Sequence, residues 1–238
     1  MVRIRPLLSL LLALGAMTLT ACASRAPSVT EWDGLVLQPD TRLAAVFVKP
    51  GADIAAFTSV LLDPVQIRFA SEWSRTRSGR NPSNRLSSAD VAALESGLAD
   101  LFRETFRAEL ARGGYALVDV AGPDTLRVSP AIIDLYVTAP ATNSAGRSRT
   151  YTASSGRMTL VAELRDSVTN EILARAVDSR SGRGGAGMMT WTNSVTNTAD
   201  ARRAINTWAR ALRRGLDGVY GKPVAAEEAA TEAAAPAP

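Results

Sequence analysis

"RMTLVAELRDSVTNEILARAVDSR", Arg157–Arg180, is the stretch on which the fold class turns. In its first half Met158, Leu160, Ala162 and Leu164 alternate with Arg157, Thr159, Glu163 and Arg165. A strand sends successive side chains to opposite faces, so this spacing describes a strand with one buried and one wet face. Asp166 to Asn170 supply the turn, and Asn170 tolerates the left-handed backbone that a tight reversal needs. The second half returns as a strand on which Asp178 and Arg180 share one face at i, i+2. The stretch predicts an antiparallel hairpin.

Reading outward from it adds strands at "LAAVFV" (Leu43–Val48), "TSVLLDPVQIRF" (Thr58–Phe69), "YALVDV" (Tyr115–Val120) and "LRVSPAIIDLYV" (Leu126–Val137). Proline lacks the N–H that a ladder uses, so Pro64 and Pro130 each imply a bulge or an edge. Two helices join the strands. Ser87 with Asp90 three residues on resembles a capping box, with Asp in place of the usual Glu. Val91, Leu94, Leu98, Leu101, Phe102, Phe106 and Leu110 then recur at helical spacing until Gly113-Gly114 ends the helix. A last helix is expected from about Ala199 to Asp217. The predicted class is α+β: one mainly antiparallel sheet with two helices packed on one face, in a single domain over 42–220.

The ends of the chain read differently. Arg3 and Arg5 precede an apolar run, Leu7 to Leu19, too short for the about 20 residues that a spanning helix needs. That is the design of a secretory leader over residues 1–21. The run closes in "LTAC", Leu19–Cys22, which resembles the lipobox of bacterial lipoproteins: a branched apolar residue, two small residues, then cysteine. Cys22, the only cysteine of the chain, is accordingly the expected site of lipid attachment. Two or three acyl chains at ~0.8 kcal/mol per buried methylene give stable anchoring. Ala23 follows where an Asp would be the usual inner-membrane retention signal, which favours an outer-membrane anchor facing the periplasm. Residues 22–41 are expected to be a tether with a reach of roughly 25 Å, in which Trp32 and Leu35–Leu37 could dock on the domain, and 221–238 a disordered Ala/Glu/Pro tail.

Composition narrows the chemistry. The chain has 238 residues, 46% hydrophobic and only 5% aromatic, so its core must rely on Leu, Val, Ile and Ala. Loss of Arg3 and Arg5 with the leader lowers the formal net charge from +4 to +2, which gives no reason to expect a nucleic-acid partner. There is no histidine, and the lone cysteine is committed to lipid. Ser-His-Asp, Cys-His and zinc-protease chemistries are thereby excluded, and neither a metal site nor a cofactor is expected.

Four blocks, "DGLV", "VKPGADIAAFTSVLLDPVQIRFASEW", "GPDTLRVSPAIIDLYVTAP" and "LRDSVTNEILARAVDSRSG", together resemble the bacterial lipoproteins of the domain of unknown function 3313. The resemblance covers roughly Trp32 to Arg183, and the middle two blocks are its specific part. It implies a lipid-anchored envelope protein and carries no catalytic residues.

Candidate sites remain to be weighed. "GRGGAG" satisfies G-x-G-x-x-G through Gly182, Gly184 and Gly187, but a further stretch precedes the helix, so a loop is the better reading. Asp63, Asp134, Asp166 and Asp178 lie in or beside strands; a converging pair could do acid–base work. On the last helix Arg202, Arg203, Arg210, Arg213 and Arg214 fall in one sector, opposite Ala201, Ile205, Trp208, Leu212, Leu216 and Val219. That Arg face, the basic loop with Trp73, Arg75 and Arg77, and Trp191 form the candidate interaction surface. The partners that chemistry would suit are an envelope protein, peptidoglycan or anionic lipid, besides the membrane that holds Cys22. The expected function is a non-enzymatic binding or scaffolding protein of the envelope. The alternatives are a carboxylate-dependent hydrolase and a carrier of lipid or small molecules, the last requiring an apolar cavity.

Overall fold

The computed structural model describes residues 30–39, 41–73, 87–137, 150–152, 156–182, 190–192 and 194–222. The strands are β1 (Glu31–Trp32), β2 (Leu35–Leu37), β3 (Ala45–Val48), β4 (Ser59–Leu62), β5 (Gln66–Phe69), β6 (Ala116–Val118), β7 (Thr125–Val137), β8 (Thr150–Thr152), β9 (Gly156–Asp166), β10 (Ile172–Ser181) and β11 (Thr190–Thr192). Helix α1 (Ser88–Arg112) lies between β5 and β6, and α2 (Ser194–Val219) follows β11. Nine strands form one sheet in the order β1-β2-β3-β10-β9-β7-β4-β6, with β5 also on β7. β8 and β11 pair separately, inside segments that read as loops from sequence.

The predicted hairpin, β9–β10, lies at the centre of the large sheet, with Ala162 opposite Ala176 and Met158 opposite Arg180. Its turn is closed by Asp166, whose Oδ1 accepts the N–H groups of Val168 and Thr169 at 2.8 Å each. Asn170 sits at φ 60°, the left-handed position that its side chain tolerates. On this side of the sheet every pairing is antiparallel. Beyond β7 the pairings of β4 and β5 to β7, and of β6 to β4, are parallel, so the sheet is mixed. The physical reason is α1, a helical connection that lets β6 run alongside β4 in the same direction.

The two prolines share one interruption. β4 ends at Leu62 opposite Val128, and β5 begins at Gln66 opposite Ala131, leaving Asp63-Pro64-Val65 as a break. Val128 accepts the Asp63 N–H at 2.9 Å, so its backbone groups face β4. Backbone groups two residues apart point the same way along a strand, and the N atom of Pro130 therefore faces the gap, where no ladder bond is lost. β7 also carries a bulge between Ile133 and Tyr136, with Asp134 at φ 52°. The extra residue resets the alternation so that both Ile132 and Leu135 are buried.

Both helices cover the same sheet face. Leu126, Val128 and Ile132 of β7 and Met158, Leu160 and Ala162 of β9 are buried against Phe102, Phe106 and Leu110 of α1 and Ile205, Trp208 and Leu216 of α2. Each fully buried side chain of this size contributes about 1.5–3 kcal/mol. Helix α1 starts as predicted: Ser87 Oγ accepts from the Asp90 N–H at 3.1 Å, and Asp90 Oδ2 accepts from the Ser87 N–H at 2.9 Å. Helix α2 begins at Ser194, ahead of the Ala199 expected from its apolar period. Among the described residues no helix is long and apolar enough to cross a membrane.

The opposite sheet face is charged, with Arg127, Ser129, Glu163, Arg165 and Arg175 on it. The β1–β2 hairpin folds over part of it. The Trp32 ring meets Phe47 edge-on with centroids 5.7 Å apart, and Arg175 Cζ lies 4.2 Å from the Trp32 centroid. Arg175 also donates to Asp33 Oδ2 at 2.8 Å. Glu31–Leu37 therefore belongs to the sheet, so the folded region starts earlier than residue 42 and the tether expected over 22–41 is shortened. Trp32 and Leu35–Leu37 are the residues of that segment that the sequence marks as able to dock on the domain.

Candidate functional site

A cavity of about 300 Å³ opens between α1, the first turns of α2 and the ends of β7, β9 and β10. Leu94, Leu98 and Leu101 line it from α1, Leu135 and Met158 from the sheet, and Ala201 and Ala204 from α2. The leucines recur at helical spacing, which puts them on one stripe. The space itself comes from small residues. Ala93 and Gly97 on α1 face Ala201 and Ala204 across it, and a Cβ added at Gly97 would meet nothing within 4 Å.

The polar lining is sparse and mostly engaged. Arg180 Nε donates to Asp178 Oδ2 at 2.6 Å. Asp178 is buried and also accepts from Trp208 Nε1 at 2.7 Å and from the Ala44 N–H at 3.0 Å. Asp200 pairs with Arg203, and Arg157 pairs with Glu72 while lying 5.0 Å from the Tyr136 ring centroid. This arrangement is an apolar chamber with a positioned guanidinium at its edge.

A second polar cluster lies between the helices and is closed. Arg213 donates to Glu109 Oε1 at 2.7 Å and to Asp217 Oδ2 at 2.6 Å. Tyr115 OH donates to Asp217 Oδ1 at 2.7 Å, and burial followed by that bond pushes its phenol well above the ordinary tyrosine range. Arg213, Glu109 and Asp217 are each buried, so the cluster joins α1 to α2 and offers no surface.

Two of the predicted surface residues are thereby corrected. Arg213 is core, because its guanidinium lies between Glu109 of α1 and Asp217 of its own helix; Val219 is exposed at the helix end. Trp73 is also buried, stacked on Phe69 at 4.2 Å between centroids, with Nε1 donating to the Val137 carbonyl at 2.9 Å. Arg202, Arg203 and Arg210 are exposed and Arg214 is half-buried. Trp191 pairs through its backbone with Tyr151 in the β8–β11 ribbon, and its side chain lies outside the described residues, as do Cys22, Arg75 and Arg77.

The four aspartates are apart. Asp63 accepts from Arg127 Nε at 2.7 Å and Ser129 Oγ at 2.6 Å on the charged face. Asp134 is exposed in the bulge, and Asp166 closes the turn, where the N–H groups of Thr169 and Val168 hold its carboxyl below the usual range. Asp178 lies under Trp208, and none of the four lines the cavity. Among the described residues no three metal-ligating side chains cluster. Of the glycine motif only Gly182 is described, and β11 stands between it and α2, so the motif does not lead into a helix as a dinucleotide site requires.

Sequence reasoning missed the cavity. Its signal was present as Ala93 and Gly97 at i, i+4 and as Ala201 and Ala204, small residues on otherwise apolar faces. Arg180 was legible only as a strand partner of Asp178.

Fold and cavity define a single-domain α+β protein with a mixed, mainly antiparallel sheet and a ligand-sized apolar chamber under its helices. The chain belongs to the family described as protein of unknown function, DUF3313, whose model matches residues 32–212. That match runs from the docked Trp32 into α2. Solved structures similar to it include a PelC dodecamer from Paraburkholderia phytofirmans, 14% identical, covering 71% of this chain and 96% of that one at a TM-score of 0.34. A minor lipoprotein from Acinetobacter baumannii is 10% identical, with 68% and 94% covered and a TM-score of 0.34. A DUF330 protein from Xanthomonas campestris is 15% identical, with 72% and 90% covered and a TM-score of 0.33. Likenesses this weak carry no argument about function. No curated protein matches the chain.

Proposed function

We propose that this is a lipid-anchored protein of the bacterial envelope, held by acyl chains on Cys22 at the outer membrane and facing the periplasm, that works by binding and not by catalysis. The observation that carries the binding reading is the apolar cavity of about 300 Å³, at the small end of the ~300–1,000 Å³ typical of ligand sites. The lipobox-like "LTAC" supports the anchor, and the absence of histidine supports a non-enzymatic role. Exposed Arg202 and Arg210 are left as surface charge, since burial of Trp73 and Arg213 removes two members of the predicted patch.

The test is titration of the mature chain, residues 22–238 with Cys22→Ala, with the neutral apolar fluorophore N-phenyl-1-naphthylamine. Saturable binding is expected, and Ala201→Trp, which puts an indole into the chamber, should abolish it. Absence of saturable binding, or binding that Ala201→Trp leaves intact in a folded variant, overturns the reading.

A further inference from the structure

The groups at the edge of the cavity narrow the chemistry of what enters. A cavity of about 300 Å³, at the small end of the ~300–1,000 Å³ of ligand sites, suits a single acyl chain. The lining leucines and Met158 are suited to such a chain. Each charged lining residue has an ion-pair partner, and Arg180 meets its own, Asp178, through Nε alone. Asp200 and Arg157 have their charges met by Arg203 and Glu72. Arg180 is held through Nε by buried Asp178, which is itself fixed by Trp208 and the Ala44 N–H. Its two terminal nitrogens carry no hydrogen bond among the described residues, and the side chain is 39% exposed. A guanidinium fork oriented in advance loses little freedom on binding, and it matches carboxylate or phosphate oxygens in pairs. A neutral head would cover the two terminal nitrogens without giving them an acceptor, while Nε keeps Asp178.

From this geometry we infer that the cavity takes a single-chain amphiphile with an anionic head, its chain among Leu94, Leu98, Leu101 and Met158 and its head on Arg180. The inference rests on the cavity being the binding site proposed above.

Three probes with the same chain test it on the mature protein: decanoate, decyl phosphate and 1-decanol, each displacing N-phenyl-1-naphthylamine. At least one anion should bind ten-fold or more tighter than 1-decanol. A carboxylate preference points to a free fatty acid, and a phosphate preference to a single-chain phospholipid; either supports the inference. Arg180→Gln should bring the anions down to the level of 1-decanol and leave 1-decanol unchanged. Arg180→Lys, which keeps the charge without the fork, should retain part of the preference, and this comparison stands even if Arg180→Gln proves too unstable to assay. Equal binding of all three probes, or an equal loss of all three in the variants, overturns the anionic head while the cavity reading survives. If none of the three binds and the fluorophore does not either, it is the cavity reading that falls.

Discussion

Trp208 Nε1 donates to Asp178 Oδ2 at 2.7 Å, with both side chains buried, and the bond joins the middle of α2 to the central strand of the sheet. The same carboxylate positions Arg180 at the cavity, so one residue links helix packing to the proposed ligand contact. Trp208→Phe keeps the ring in the core and removes one donor from a buried carboxylate. It should destabilise the protein by about 1–3 kcal/mol in urea unfolding. It should also loosen Arg180 and so weaken the anion preference more than the binding of 1-decanol. A variant as stable as the parent would show that the bond adds nothing.

Arg213 and Arg210 look equivalent on a helical wheel and differ in the fold. Arg213 is buried between Glu109 and Asp217, whereas Arg210 is exposed. Arg213→Ala removes the cation shared by two buried carboxylates, leaving Glu109 with Arg112 and Asp217 with the Tyr115 OH, and should lower stability by roughly 3 kcal/mol. Arg210→Ala should change it by no more than about 0.5 kcal/mol. Equal effects in paired denaturation curves would contradict the buried network.

What the sequence discloses here is local, and what it hides depends on direction. The alternation in Met158–Leu164 and the turn chemistry of Asp166 and Asn170 describe the central hairpin almost residue by residue. The Ser87–Asp90 cap and the Gly113-Gly114 stop bound α1 because capping is settled within one turn. The parallel placement of β4 beside β6 is not written in either strand; it follows from how α1 returns the chain. Arg213 was misread because a wheel assumes one buried direction along a helix, and α2 packs on α1 as well as on the sheet. The cavity was missed because Ala and Gly on an apolar face read as packing until their opposite numbers across the gap are known.

Two glycines separate backbone need from available space. Gly156 lies at φ 154°, and a Cβ there would come 2.5 Å from the Tyr136 carbonyl oxygen, a backbone atom that cannot swing aside. Gly156→Ala should therefore destabilise the β7–β9 pairing and lower the thermal midpoint clearly. Gly97 is helical, with open space where its Cβ would be. Gly97→Ala should raise stability by about 0.5–1 kcal/mol through the helix alone. A longer Gly97→Leu should instead compete with N-phenyl-1-naphthylamine for the chamber. Fluorophore titration of both variants checks this, and unchanged binding in Gly97→Leu would place the probe elsewhere.

Docking of β1 changes what the anchor implies for position. The sheet begins at Glu31, so only residues 23–30 separate it from Cys22. Fully extended, such a segment spans at most about 28 Å. An acylated Cys22 would thus hold the domain within a domain's width of the bilayer, where a ligand with an acyl chain is most concentrated. With the native leader, the protein is expected in the membrane fraction, and the intact mass of its mature form should exceed the sequence mass by that of the acyl groups. With residues 1–21 exchanged for a leader whose removal does not require the cysteine, Cys22→Ala should move the protein to the soluble fraction with its urea midpoint unchanged, because Cys22 precedes the first strand. Retention of that variant in the membrane fraction would mean that something other than the lipid holds it there.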